Sequence, residues 1–240
     1  MQTKVIFVSP TYNASYHLKE TYDSLKEQTN DNWKWVILND MSNDDTKMIA
    51  ENIVEQDELK RVTLINHTEK KFALKGLYES LISMKESDDE IIAVMDGDDS
   101  LCNENTVDIV LSEYKKNKNL DSLWTAHSWD INGMNISRDL PEKINPYQYP
   151  WVSSHLKTFR LEVFKKINED NFKDLDGEWF QRGYDQALYL PILYLSKERK
   201  FLNEICYLYR INSNSFKVRS WKEKNQMDTV RLVRSRGLLE

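Results

Sequence analysis

Residues 91–99 read Ile-Ile-Ala-Val-Met-Asp-Gly-Asp-Asp, five apolar side chains followed by three carboxylates around one glycine. The apolar run is too short for a membrane span and has no polar residue on alternate positions. It therefore predicts a strand buried on both faces, the mark of a parallel sheet covered by helices. Three carboxylates within four residues repel one another, and a divalent cation bridging to phosphate oxygens would make that density tolerable. Gly97 removes a side chain where a ligand approaches the backbone. Asp and Gly are also ordinary turn residues, and it is the position at the end of a buried strand that favours a ligand site.

Outward from this stretch, strand and helix signals alternate. Val5–Val8 is an apolar run closed by Ser9-Pro10, and Trp35–Leu38 and Val62–Ile65 repeat the pattern. Between them, Leu18, Tyr22 and Leu25, then Met48, Ile49, Ile53 and Val54, recur at helical spacing, and a further helix is predicted over residues 72–84. Right-handed crossovers then make residues 1–100 a Rossmann-like half whose ligands sit beyond the carboxyl ends of the strands.

The second half, residues 101–216, is less regular. A helix over 106–116 and strands over 122–129, 155–160 and 205–211 are predicted, with a helix starting near Tyr184. Residues 132–150 contain Pro141, Pro146 and Pro150 and read as a long loop of the kind that covers binding sites. The chain is expected to form a single α/β domain over residues 1–240.

Composition narrows the function. Hydrophobic residues make up 40% and charged residues 30%, values of a globular protein. A net charge of −6 lacks the basic footprint of a nucleic-acid binder. Cys102 and Cys206 stand far apart and form neither a metal spacing nor a disulfide framework, which predicts reduced thiols and a cytoplasmic setting. No secretory leader or membrane-spanning run is expected. Residues 217–236 carry seven basic and two acidic residues, which suggests either a helix packed on the domain or a peripheral contact with an anionic membrane surface.

Four stretches in order resemble the inverting nucleotide-sugar transferases of glycosyltransferase family two, which have the GT-A fold. Ser9-Pro10-Thr11-Tyr12-Asn13 looks like the family's turn after the first strand, and residues 39–46 look like its Asp-Asp-x-Ser-x-Asp-x-Thr loop, with Asn39 in place of the first Asp. Asp96-Gly97-Asp98-Asp99 resembles its metal motif, and Gly183-Tyr184-Asp185 the motif that supplies the catalytic base. The resemblance covers roughly residues 4–216.

It implies a metal-dependent transfer of a sugar from a nucleotide-diphosphate donor to a hydroxyl of a glycan or glycoconjugate. Pro10, Thr11, Tyr12 and Asp40 would hold the nucleotide, uridine being preferred because its imide N–H can donate to Asp40. Lys75 would meet the base or pyrophosphate, Asp96 the ribose or a metal-bound water, and Asp98 or Asp99 a Mn²⁺ or Mg²⁺ ion. Asp185, at the start of a helix where an anion is favoured, would be the general base, with Glu178 and Asp176 as rivals. Trp124, Trp129, Trp151 and Trp179 are candidate stacking platforms, one or two of them expected at the acceptor, and His155 receives no role. The Gln-x-x-Arg-Trp motif of processive synthases is absent, which favours single-sugar transfer. Two other readings are a sugar nucleotidyltransferase, against which the glycine-free first turn counts, and an inactive nucleotide-sugar-binding module.

Overall fold

The computed structural model describes residues 3–87, 89–211 and 219–240, with the side chains of 219–224 outside that description. Eight strands form one sheet: β1 (Val5–Thr11), β2 (Trp33–Asn39), β3 (Val62–Asn66), β4 (Ile91–Val94), β5 (Ser100–Leu101), β6 (Leu120–Trp129), β7 (Lys157–Arg160) and β8 (Glu198–Tyr209). Their spatial order is β3-β2-β1-β4-β7-β6-β8-β5. The first four run parallel, as the uninterrupted apolar runs predict. Beyond β4 the sheet is mixed, because β7 is antiparallel to both β4 and β6 while β8 runs parallel to β6.

The helices are α1 (Leu18–Lys26), α2 (Thr46–Gln56), α3 (Phe72–Ser83), α4 (Thr106–Lys116), α5 (Leu161–Phe164), α6 (Tyr184–Leu195) and α7 (Arg219–Arg236). Successive strand side chains point to opposite faces, so each central strand feeds two cores. Val5, Phe7, Ile91 and Ala93 join α1, α2 and α4 in one of them. Ile6, Val8, Ile92 and Val94 join α3, α5 and α6 in the other.

Two sequence expectations change in the second half. The strand expected over 205–211 runs from Glu198 to Tyr209, because pairing with β6 rather than local hydrophobicity defines it. The two-residue strand β5 has no periodicity to detect, yet it pairs Ser100 with Leu208 and Leu101 with Tyr207. That pairing fastens the chain just after the acidic run to β8.

The expected loop does lack helix and strand between Trp129 and Lys157. It is not loose. Trp124 Nε1 donates to Arg138 O (3.1 Å), Arg199 donates to the carbonyls of Pro141, Glu142 and Ile144, and Arg234 donates to those of Tyr147 and Tyr149 (2.9 and 2.7 Å). Its own Leu140, Tyr147 and Val152 are buried.

Candidate active site

The acidic run leaves β4 at the carboxyl edge of the parallel strands, where β1 and β2 also end. Asp99 is almost fully buried, and its carboxylate accepts from Tyr207 Oη (2.8 Å) and from the backbone N–H of Arg210 (2.7 Å). The same Tyr207 oxygen accepts from the backbone N–H of Asp96 (3.0 Å), so one hydroxyl from β8 ties both ends of the turn. Arg210 adds a bond from its guanidinium to Asp98 O (2.8 Å). Tyr184, the first residue of α6, donates to the Asp96 carboxylate.

Burial, with repulsion from Asp185 and Asp98, pushes the Asp96 carboxyl up to about 7. Burial and the negative charges of Asp96 and Asp98 likewise raise the Asp99 carboxyl well above the ordinary range. Negative charge is thus in excess here, as a cation site requires. A ligand atom of Asp96, one of Asp99 and one ring nitrogen of His155 lie within 4.8 Å of one another. The residues present therefore fit a divalent ion, with Asp96 joining Asp99. Asp98 is half-buried and outside that group.

A prediction follows from the raised Asp96 pKa. The folded carboxyl titrates near 7 against about 3.8 for an ordinary one, so the stability it contributes is full below about pH 4 and lost as pH rises through 7. Urea midpoints measured without metal are expected to fall between about pH 5.5 and about pH 8, and Mn²⁺ should remove the fall by neutralising the carboxylates. A pH-independent midpoint would contradict the excess charge.

On the nucleotide side, Asp40 is buried and fully engaged. Its carboxylate accepts from the backbone N–H groups of Lys71 (2.7 Å) and Phe72 (3.0 Å) at the start of α3, from Lys70 Nζ (3.0 Å) and from His67 Nδ1 (3.2 Å). Burial alone would raise this carboxyl, but those donors outweigh it and hold its pKa below the usual value. A base N–H reaches Asp40 only by taking the place of one of these partners. The replaceable one is Lys70, whose ammonium also lies 3.2 Å from the centre of the half-exposed Tyr12 ring. Lys70, not singled out in the sequence, is the cation that meets Tyr12 and Asp40. Lys75 instead pairs with Glu69 (3.4 Å) and Glu79 (3.9 Å). Thr11 is buried and its hydroxyl donates to Ser9 O, while Pro10 O accepts from the N–H of Gly97.

Asp185 lies in the first turn of α6, after Gly183 at a φ of 69°. A Cβ on Gly183 would lie 3.1 Å from Gln226 O, so glycine is needed both for the left-handed turn and for the approach of α7. Asp185 lines a cavity of about 200 Å³ with Trp129, Trp151, His155, Tyr209 and Val230. Of the four candidate tryptophans these two line it, whereas Trp124 is in the core and Trp179 stacks on Phe172. Glu178 lines a different cavity with Asp174 and Asp228. Asp176 is exposed.

Sequence reading missed Lys157. Its side chain is completely buried in β7, and its ammonium donates to Asp185 Oδ1 at 2.6 Å. A lysine in a central strand was itself a signal, because that residue type is almost never fully buried unless paired.

Of the two expectations for the basic segment, the described side chains 225–236 follow the helix packed on the domain. Val233 is buried, Arg234 Nε donates to Gln186 beside Asp185, and Arg236 donates to the carbonyls of Asn171 and Lys173. A membrane-surface role would rest on Lys217, which lies outside the described residues, and on Arg219, Trp221, Lys222 and Lys224, whose side chains do. Among the described residues no helix is long and apolar enough to cross a membrane.

Comparison with known proteins gives this geometry a family. The chain is 24% identical over 232 residues to the glycosyltransferase GlyA of Streptococcus pneumoniae, covering 92% of this chain and 32% of that protein. It is 23% identical over 230 residues to GlyG of the same organism, covering 90% and 73%. It thus spans about a third of GlyA. Among solved structures, S. aureus TarS 1–349 in complex with UDP-GlcNAc superposes with a TM-score of 0.72 at 15% identity, covering 96% of this chain and 65% of that one. The mannosyltransferase PcManGT from Pyrobaculum calidifontis, in complex with GDP-Man and Mn²⁺, gives 0.69 at 15% identity, covering 99% and 65%. Both likenesses bear on the fold, which is GT-A. The family model described as glycosyl transferase family 2 matches residues 6–167, two-thirds of the chain and nearly all of the parallel half with its acidic turn, and the chain belongs to that family.

Proposed function

We propose that the chain is a metal-dependent, inverting glycosyltransferase that moves one sugar from a nucleotide-diphosphate donor, preferably a UDP-sugar, to a hydroxyl of a glycan or glycoconjugate. One observation carries the reading. Tyr184 donates to Asp96 while the next residue, Asp185, opens into the aromatic cavity. The acidic turn that would face a diphosphate and the carboxylate that would face an acceptor are thereby tied together through adjacent residues.

Tyr12 and Lys70 would meet the base, and the cavity walls Trp129 and Trp151 would bear on the acceptor ring. Asp185 would accept the proton of the acceptor hydroxyl as its oxygen attacks the anomeric carbon from the face opposite the leaving diphosphate. The bond from that carbon to the diphosphate oxygen breaks, and the configuration inverts. Asp96 and Asp99 would hold a Mn²⁺ or Mg²⁺ ion, with Asp98 as a further candidate, and the ion when bound supplies positive charge to the leaving diphosphate.

Thermal-shift measurements with UDP, GDP, UDP-GlcNAc and GDP-mannose, with and without Mn²⁺, test this. A true donor at about 100 times its Kd should add about 2.7 kcal/mol of apparent stability, and EDTA should abolish the effect. Equal shifts in Mn²⁺ and EDTA would sink the metal assignment. Asp40→Ala is expected to weaken UDP more than pyrophosphate if the base reaches that carboxylate in place of Lys70. It should also destabilise the free protein by about 0.5–2 kcal/mol, because the start of α3 loses its cap. Equal losses for UDP and pyrophosphate, read by calorimetric titration, would remove Asp40 from base recognition.

A further inference from the structure

We propose that Lys157 is a positioning residue for the transfer reaction, holding the Asp185 carboxylate by one oxygen so that the other faces the acceptor. This rests on the reading of Asp185 as the base. Lys157 sits in β7 between β4 and β6, opposite Val94 on one side and Trp124 on the other. Its side chain has no exposed surface. Burying an ammonium is unfavourable unless it is paired and hydrogen-bonded, and a hydrophobic side chain of similar volume would serve stability at least as well. Stability therefore does not explain a lysine here.

Its contacts do. The ammonium lies 2.6 Å from Asp185 Oδ1 and 3.4 Å from His155 Nδ1. Asp185 and His155 line the same cavity. Asp185 is otherwise a partly exposed side chain in the first turn of a helix, free to turn among rotamers. One short, charge-assisted bond fixes its orientation and leaves the second oxygen free, the arrangement that proton abstraction from a bound hydroxyl needs.

The second contact fixes His155. An ammonium can only donate, so Nδ1 accepts and the ring hydrogen resides on Nε2. The ring is stacked between Tyr207 (4.7 Å) and Tyr209 (4.9 Å) and buried, which with the Lys157 charge holds its pKa well below the usual histidine value. A neutral imidazole whose Nδ1 lone pair is taken by the ammonium and whose Nε2 carries the hydrogen offers no lone pair to a cation. The ion is thus left to Asp96, Asp99 and their neighbours.

Two measurements test the proposal. In the Mn²⁺-loaded protein, hydrolysis of UDP-GlcNAc and of GDP-mannose, with water as the acceptor, is followed for the unmodified protein, Lys157→Met, Lys157→Ala and Asp185→Asn. Lys157→Met is expected to lower kcat at least about tenfold with the donor KM changed less than about twofold. Ethylammonium should restore part of the rate in Lys157→Ala where ethanol does not, since a packing role would accept either. Separately, the ¹⁵N resonance of the Lys157 ammonium should be protected from exchange in the unmodified protein and in Asp185→Asn, whose amide oxygen can still accept, and lose that protection in Asp185→Ala, whether or not either donor turns over. An unchanged kcat in Lys157→Met, or a protected resonance that persists in Asp185→Ala, overturns the proposal. If Asp185→Asn hydrolyses the donor at full rate, the base assignment itself fails; if only Lys157→Met does, the base stands and the positioning role falls.

Discussion

Replacing Asp185 by asparagine is expected to lower transfer by about 10²–10⁴-fold while leaving nucleotide affinity within about twofold. The amide keeps the shape of the carboxylate and can still accept from Lys157, but it cannot take a proton. The loss corresponds to about 3–5 kcal/mol of barrier. No other carboxylate among the residues lining the aromatic cavity can substitute, since Asp185 is the sole acid there among the described residues. Turnover on an identified acceptor should be measured beside UDP binding in one preparation. Undiminished turnover would clear Asp185 and favour a base outside this cavity, Glu178 being the rival. Loss of UDP binding together with turnover would show instead that the bond between Tyr184 and Asp96 had been disturbed.

The largest effect on the folded state is expected from Gly97→Ala. A Cβ at Gly97 would lie 2.3 Å from Thr11 Oγ1, 2.8 Å from its Cγ2 and 2.9 Å from its Cβ. Thr11 is buried at the end of β1 and cannot swing away, because its backbone is registered against Asn39 in β2. The acidic turn must therefore move. Overpacking of this kind costs about 1–3 kcal/mol, and here the displaced atoms include the carboxylates that would hold the ion. Urea denaturation should show the loss, and calorimetric titration of UDP with Mn²⁺ should show weakened binding. Adding Thr11→Gly should recover much of both. A Gly97→Ala protein with the stability and affinity of the unmodified one would mean that the turn has slack the geometry does not show.

These residues also mark how far the sequence could be read. The parallel half is legible because its signals are local: Ile91–Met95 and Val5–Val8 are uninterrupted apolar runs, although β1 runs on through Ser9-Pro10 to Thr11 instead of closing there, and Leu74, Leu77 and Leu81 recur at helical spacing. The acidic turn and the start of α6 stand out for the same reason. Tyr207, Lys157 and the bond from Tyr184 to Asp96 do not, because each depends on a partner far along the chain. Tyr207 becomes the brace of the acidic turn only through the pairing of β5 with β8, and β5 is too short to announce itself. Lys70 and Lys75 show the same limit. Both are lysines at the start of one helix, and only the direction of the chain after β3 decides which of them reaches Tyr12.

The packing of α7 on the aromatic cavity bears on the order in which the protein is made. The four parallel strands are all present once residue 94 has been synthesised, and the acidic turn gains its brace once Tyr207 and Arg210 follow. The wall formed by Gln226 and Val230, and the grip of Arg234 on Gln186, Tyr147 and Tyr149, come from α7, which is translated later still. A nascent chain can thus assemble its donor half while the cavity around Asp185 still lacks a side. Sugar transfer would begin only when that helix docks, so a chain halted before residue 219 would have no complete cavity in which to use a donor.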